Sequence, residues 1–413
     1  MIDADYEPPS YWHVTGTPIA AEALDWPATA EVVVVGGGLL GVSCVYWLAR
    51  AGIAAVLIER ATIAGGATGR NGGIVVAGAA EAYPALIRRV GHDLARAIWS
   101  MTLQSQALLR EVLAAEAIDC DYREPGSLSL ALDETQLAAM ARTAALLQAD
   151  GFVAGLLDRS QTQARIATPL GAISGGFFIP TGGLLHSARL IQGLARAARR
   201  YGARIYETTA VRRLARDGAG LRVQTARGTV RAGAVIVATN AWTDRLVPEL
   251  AGVVTPVRGQ MLAYAPVAPL FTTGMAANVT PTGEYWQQTR DGTILLGGCR
   301  AAAVDGDVSV RDAQPTALVQ AALEQVFPLL FPALGDLRVV QRWAGLMAFT
   351  PDYLPIADRV PGLAHAWVVG GFSGHGMPFG MRLGQLLAEA VTDDRAPPLL
   401  ALFRSNRPTL ALR

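Results

Sequence analysis

The sequence predicts an α/β fold in which one parallel-sheet domain is interrupted twice by pieces of a second domain. Three observations predict it. "EVVVVG", Glu31 to Gly36, is a short β-branched run ending in glycine, the pattern of a strand buried on both faces. From Leu39 to Ala51 the apolar residues continue at helical spacing, Gly52 supplies a stop, and "AAVLIE" reads as a second strand ending at Glu59, so the three elements form a βαβ unit. Far downstream, "AVIVATN" is another buried strand, and "HAWVVGGFSGHGMPFGMRLGQLLAEAVTD" is strand, glycine-rich loop and helix. One sheet therefore draws on the start, middle and end of the chain.

In chain order, residues 1–30 form a polar, proline-containing arm expected to lie over the first domain. The first domain, Rossmann-like, is expected to take 31–85, 180–245 and 341–413, and the second, built on a mixed sheet, 86–179 and 246–340. After Gly73, helices are expected from Glu81 to Ala117 with a break near "VGHD", then a strand from Ser127 to Leu132 and a helix from Asp133 to Asp150. "SARLIQGLARAARRYGARIYETTAV" reads as helix, Gly202 stop and strand, with His186 at the helix start; "GLRVQTARGTVRA" reads as a hairpin. The second excursion, Val253 to about Val340, carries strand signals in "GQMLAYAP" and "GTILLGG" and a helix near Leu318 to Val326. There is no internal repeat.

Composition narrows the function classes. Hydrophobic residues are 51% of the 413 and charged ones 17%, which excludes a disordered chain and fits a large buried core. A formal net charge of +1 lacks the basic excess of a nucleic-acid binder. All 35 basic residues are arginine, so every mechanism that needs a lysine Schiff base or lysine general base is excluded. Cys44, Cys120 and Cys299 show neither metal spacing nor an even disulfide set, and the first residues lack a signal-peptide pattern; a cytoplasmic location is expected, with peripheral membrane contact left open by the apolar composition. The most membrane-like window, Val32 to Ala49, holds four glycines and reads as strand, loop and helix, not as a span.

In "GGGLLG", Gly36, Gly38 and Gly41 fit G-x-G-x-x-G between a strand and a helix. The helix start, with Leu39 and Leu40, offers free N–H groups and a positive dipole end to a pyrophosphate. Glu59, eighteen residues after Gly41, is placed to bind a ribose hydroxyl pair, with Arg60 beside it. This unit marks a dinucleotide site but leaves FAD and NAD both open.

A second glycine-rich loop, "GGATGRNGG" from Gly65 to Gly73, follows the second strand. It resembles the D-amino-acid oxidase superfamily of flavoproteins, especially the branch containing γ-glutamylputrescine oxidoreductase, glycine oxidase and sarcosine oxidase. The resemblance extends over nearly the whole chain, through "SYW", "VIVATNAW", "PVRGQM", "DGTILLGG", "RWAGLMAFTPDYLPIAD" and "GGFSGHGMPFG", in the order that family shows. It implies FAD. The small side chains of Ala67, Thr68, Gly69 and Gly72 would let backbone lie against the ribityl chain and ring, with Arg70 and Asn71 reaching polar atoms. Ala238, Thr239 and Asn240 would join the cofactor site, and Val211 would meet the adenine through its backbone. Gly374, His375, Gly376 and Met377 would cap the N1 and C2=O edge of the flavin. The helix after Pro378 would aim its N-terminal dipole at that edge, which turns negative on reduction.

The chain also departs from these relatives. Where the glycine-oxidase branch places an arginine for the substrate's α-carboxylate, this chain has Met347, which cannot form a bidentate clamp. Arg258 or Arg290 could substitute from elsewhere. Tyr285 matches an aromatic of the substrate pocket, so His375, Tyr285 and Met347 are the candidate catalytic residues; Trp343 is expected in the core. No cysteine lies beyond Cys299, so FAD is expected to be noncovalent. The resemblance implies oxidation of an amine, by hydride transfer from its α-carbon to flavin N5 and hydrolysis of the imine. The absence of the lysine that relatives use with O2 leaves the electron acceptor as O2, a quinone or a protein. Two alternatives stand: the flavin subunit of a heteromeric amine or amino-acid dehydrogenase with partner subunits, and an oxidase of glycine, sarcosine or a D-amino acid.

Overall fold

The computed structural model describes residues 8–411; the first seven residues of the expected arm and the last two of the chain lie outside the described residues. The first sheet has the order Ile356–Arg359, Ala366–Gly370, Gly228–Val237, Thr29–Val35, Ala55–Ile58, Arg204–Tyr206. All neighbours along this path are parallel except the first pair. Its central strands are buried on both faces, as the unbroken valine run requires. Val32, Val34, Ala55, Leu57 and Ile236 belong to one core cluster, and Val33, Val35, Val56, Ile58, Val235 and Val237 to another.

The first cluster is closed by helices Leu39–Arg50, Ser187–Arg200 and Gly380–Thr392. The first and last of these pack closely because two glycines permit it: a Cβ on Gly380 would overlap Leu39, and one on Gly384 would overlap Ser43. That contact sets the starts of both helices side by side. The second cluster is closed by a meander, Val211–Asp217 and Gly220–Thr225 leading into Gly228–Val237, which supplies Leu221, Val223 and Val230.

The second sheet is mixed, in the order Val339–Phe349, Thr255–Tyr264, Ile294–Gly298, Glu284–Gln288, Gly274–Ala277, Ser127–Ala131, Gly175–Ile179, Gly155–Asp158. Its single parallel pair among the described residues, Gly274–Ala277 with Ser127–Ala131, joins the two excursions of the chain. Two expected boundaries are corrected. Val339–Phe349 pairs along its length with Thr255–Tyr264, so residues past 340 belong to the second sheet. Helix His92–Ala115, expected in the second domain, packs on Gly380–Thr392 and buries Ile98, Trp99 and Leu109 with the first core cluster. Helix Ala317–Leu330 runs four residues beyond its expected end, past Pro328.

His186 caps helix Ser187–Arg200, as its place before "SARLI" predicts. Its Nδ1 accepts from Arg189 N at 3.1 Å. Thr15 Oγ1 already donates to Tyr11 O at 2.7 Å, so it accepts from His186 Nε2 at 3.0 Å. Burial, with Arg189 nearby, lowers the His186 pKa to about 4. The unfolded chain therefore binds this proton first, and the contribution to stability present above pH 6.5 is lost as the pH falls toward 4. We expect the melting temperature to drop through that window. His186→Asn, which keeps a capping acceptor without titrating there, should melt lower at pH 8 yet show a shallower acid slope in a thermal scan.

Candidate active site

Both glycine loops and the last one open on a single cavity of about 1470 Å³. That exceeds the roughly 300–1,000 Å³ of an ordinary small-ligand pocket and suits a dinucleotide with a substrate beside it. Gly36 has φ +114°, and a Cβ there would sit 2.5 Å from Ala238 O. Gly36, Gly38, Leu39 and Leu40 line the cavity, whereas Gly41 does not. Gly41 is glycine for packing, since a Cβ would overlap Gly36 O. Leu39 N donates to Thr68 Oγ1 at 3.0 Å, which ties the first loop to the second.

At one end lie Glu59, Arg60 and Val211. Glu59 Oε2 accepts from Gly37 N at 2.6 Å and Oε1 from Ala61 N at 2.7 Å, an arrangement that fixes the carboxylate while leaving lone pairs for hydroxyls. Burial raises its pKa against the pull of those two N–H groups. The Arg60 guanidinium lies over the Trp242 ring at 4.4 Å, and Arg245 and Arg311 approach the same ring at 4.8 and 5.1 Å. Sequence reading included Arg60 but missed this stack around Trp242. Ala238, Thr239 and Asn240 line the wall between, and Thr239 Oγ1 is buried with no partner among the described residues.

The second loop is held from outside. Its carbonyls are engaged in turn: Ala64 by His13 Nε2 at 3.0 Å, Gly65 by Arg70 Nε at 3.0 Å, Gly69 by Ser10 Oγ, Arg70 by Trp343 Nε1 at 2.9 Å, Asn71 by Trp12 Nε1 at 2.6 Å, Gly72 by Gln287 Nε2, and Gly73 by Leu185 N at 2.9 Å. Ala67, Thr68, Arg70, Asn71 and Gly72 line the cavity; Gly69 does not, being packed on Ala64 O. The N–H groups of Asn71 and Gly72 have no protein acceptor among the described residues. Arg70, in the cavity wall, is also engaged by backbone. Its Nη1 donates to Pro8 O at 2.7 Å and Ala344 O at 3.0 Å. Asn71 Oδ1 is likewise turned to Gly73 N at 2.9 Å. Trp343, fully buried, is core as expected.

The other end is walled by Tyr285, Met347, Gly374, His375, Gly376 and Met377. The Tyr285 ring fills the space beside Gly72 and Gly297, where a Cβ would come within 2.9 and 2.7 Å of it. Burial pushes the Tyr285 hydroxyl up to about 12, so it is a neutral donor. His375 Nε2 donates to Val76 O at 3.1 Å, and burial lowers its pKa to about 4, so Nδ1 is a neutral acceptor at pH 7. Met347 packs over Gly259 and Gly374, with Cε 2.9 Å and Sδ 3.1 Å from where their Cβ atoms would lie. Neither arginine considered as a substitute clamp reaches this cavity. Arg258 is buried against Asp307, at 2.7 and 3.0 Å, and Asp312, at 3.2 Å; Arg290 is exposed near Asp121 at 3.5 Å. An outer pocket of about 180 Å³ adjoins this end, sharing Gly259, Tyr285, Met347, Gly374 and His375 with it. Arg300, which sequence reading missed, stands in its wall.

The profile of the DAO family, described as FAD dependent oxidoreductase, matches residues 31–390. The chain belongs to that family. It is thus an FAD-dependent oxidoreductase. It is 31% identical to γ-glutamylputrescine oxidoreductase of Escherichia coli (strain K12) over 386 residues, covering 90% of this chain and 86% of that one. It is 29% identical to glycine oxidase of Pseudomonas aeruginosa, covering 88% and 94%. Among solved structures, glycine oxidase from Geobacillus kaustophilus superposes with a TM-score of 0.79 at 24% identity, over 92% of this chain and 99% of that one, which shows the shared fold.

For a family member, Glu59 is the sharpest test of the cofactor register. Glu59→Ala removes the acceptor of Gly37 N and Ala61 N together with the hydroxyl partner. FAD affinity should weaken by about 1–3 kcal/mol, measured by fluorescence titration of apo-protein. Unchanged affinity would remove the ribose from this end of the cavity.

Proposed function

We propose that this chain oxidises an amine whose carboxylate is absent or distant from the reacting carbon. The observation that carries the reading is Met347, a thioether in the cavity wall where a carboxylate clamp would stand, with no charged side chain among the five residues shared with the outer pocket. The cradle fits FAD. Gly36, Gly38, Leu39 and Leu40 would take the pyrophosphate on a helix start, and Glu59 and Val211 the adenosine. The unpaired N–H groups of Asn71 and Gly72 and the loop Gly374–Met377 would face the flavin ring. Bound FAD would supply the two-electron acceptor for oxidation of the amine's C–N bond, and water would hydrolyse the imine product.

The chain's own residues hold and orient the donor. Tyr285 offers a protonated hydroxyl, His375 Nδ1 accepts without binding a proton, and the methionines Met261, Met275 and Met347 exclude water. An amine held among uncharged groups is favoured as the free base, the form that releases a hydride, because burial disfavours its cation. The helix start at Gly380, beside that of Leu39, would stabilise negative charge at the ring edge.

Noncovalent FAD is part of the reading. Cys44, Cys120 and Cys299 are buried, and none of them lines the cavity. Acid precipitation should leave the yellow chromophore in the supernatant. With no lysine in the chain, a quinone or protein acceptor is favoured over O2, and the same lack supports a second reading, the flavin subunit of a heteromeric amine dehydrogenase.

The substrate class is tested by anaerobic stopped-flow bleaching across amines and amino acids. Glycine, sarcosine and simple D- or L-amino acids should reduce the flavin poorly, and amines well. Met347→Arg should invert that order for glycine or sarcosine, by about tenfold or more if a bidentate pair forms. Rapid reduction of the wild type by a small α-amino acid would overturn the preference for amines.

A further inference from the structure

The outer pocket holds an arginine without an acidic partner. Arg300 Nη1 donates to Gly306 O at 3.0 Å, and the guanidinium lies over the Phe349 ring at 5.2 Å. No carboxylate among the described residues lies within ion-pair distance of it. Its neighbour in sequence, Asp307, is taken by Arg258 and by Gln260 Nε2 at 2.9 Å. Most of the N–H donors of Arg300 are therefore uncommitted, and one planar face of the guanidinium is held against an aromatic ring.

Its position connects it to the reacting end. Arg300 and Phe349 line the same pocket as Tyr285, Met347 and His375, which also wall the main cavity. At about 180 Å³ the pocket has room for roughly six waters' worth of ligand, enough for a carboxylate with a short methylene stem. Thr282 and Ser373, also in its lining, add hydroxyl groups.

We propose that Arg300 anchors a carboxylate at the far end of the substrate, so that the preferred donors are ω-amino acids or amines bearing a remote acid group. The inference rests on the amine reading above and narrows it. Met347 denies a clamp next to the reacting carbon, while Arg300 provides one displaced outward across the shared wall. The substrate amine would lie by Tyr285 and His375, its chain would pass Met347, and its acid group would pair with the guanidinium. Selectivity then depends on chain length, since a flexible stem must span the two ends.

The test uses the holoenzyme and two series of donors under anaerobic conditions: β-alanine, γ-aminobutyrate, δ-aminovalerate and ε-aminocaproate against butylamine and pentylamine. The expected result is an optimum chain length at which the ω-amino acid half-saturates flavin reduction at a concentration about tenfold to a hundredfold below that of the matched alkylamine, the range of a charged hydrogen bond. Arg300→Gln should bring that ratio close to one, chiefly through the half-saturating concentration rather than the limiting rate. Arg300→Lys should keep part of it. A ratio near one in the wild type, or one that Arg300→Gln leaves unchanged, overturns the anchor. Valerate, which has no amine, gives a reading independent of turnover. It should perturb the bound flavin's absorption in the wild type and require at least about tenfold more ligand in Arg300→Gln. If no amine bleaches the flavin while valerate binding still depends on Arg300, the amine reading fails and the anchor stands. If amines bleach it but valerate binds both proteins alike, the anchor fails and the amine reading stands.

Discussion

The structure turns on how a loop without regular secondary structure is made rigid. Between Ala64 and Gly73 the backbone carbonyls are bound from the outside by His13, Ser10 and Trp12 of the arm, by Trp343 and Gln287 of the second sheet, and by Arg70 of the loop itself. Satisfying the carbonyls on one side leaves N–H groups on the other. A loop built this way presents donors to the cavity at fixed positions, as a helix start does, but over a longer path. The Ser-Tyr-Trp of the arm and the Arg-Trp-Ala-Gly-Leu strand thus act on the cofactor site at second hand, through that loop.

The cavity that results is electrostatically divided. At the end where Glu59 lies, the helix start at Leu39, a fixed carboxylate and a group of arginines around Trp242 line the cavity. At the opposite end, glycine, methionine, tyrosine and a neutral histidine form a wall of low polarity. A charge placed in the first region meets fixed partners, whereas one placed in the second does not.

Much of this was legible in the sequence because the signals are local. A valine run, three spaced glycines and an acid at the next strand's end report a βαβ unit within thirty residues. What escaped was partnership. Asp307 lies seven residues from Arg300 yet binds Arg258, 49 residues away, and only the fold decides which arginine is left unpaired. Arg70 stands in the glycine loop, yet one of the carbonyls it serves is that of Ala344, 274 residues on. Val339–Phe349 has the pattern of a buried strand in either sheet, and its ten-residue pairing with Thr255–Tyr264 is a long-range choice.

The close contact of Gly380 and Gly384 with the first helix has a consequence in time. During synthesis the first glycine loop emerges about 340 residues before the last. At roughly 5–20 residues per second this interval is on the order of 20 to 70 seconds. Throughout it, Leu39–Arg50 waits for the helix Gly380–Thr392 that packs on it. The nascent chain therefore spends most of its translation with one face of Leu39–Arg50 uncovered. A cavity whose wall includes Gly374 to Met377 is complete only in a chain that has been read almost to its end.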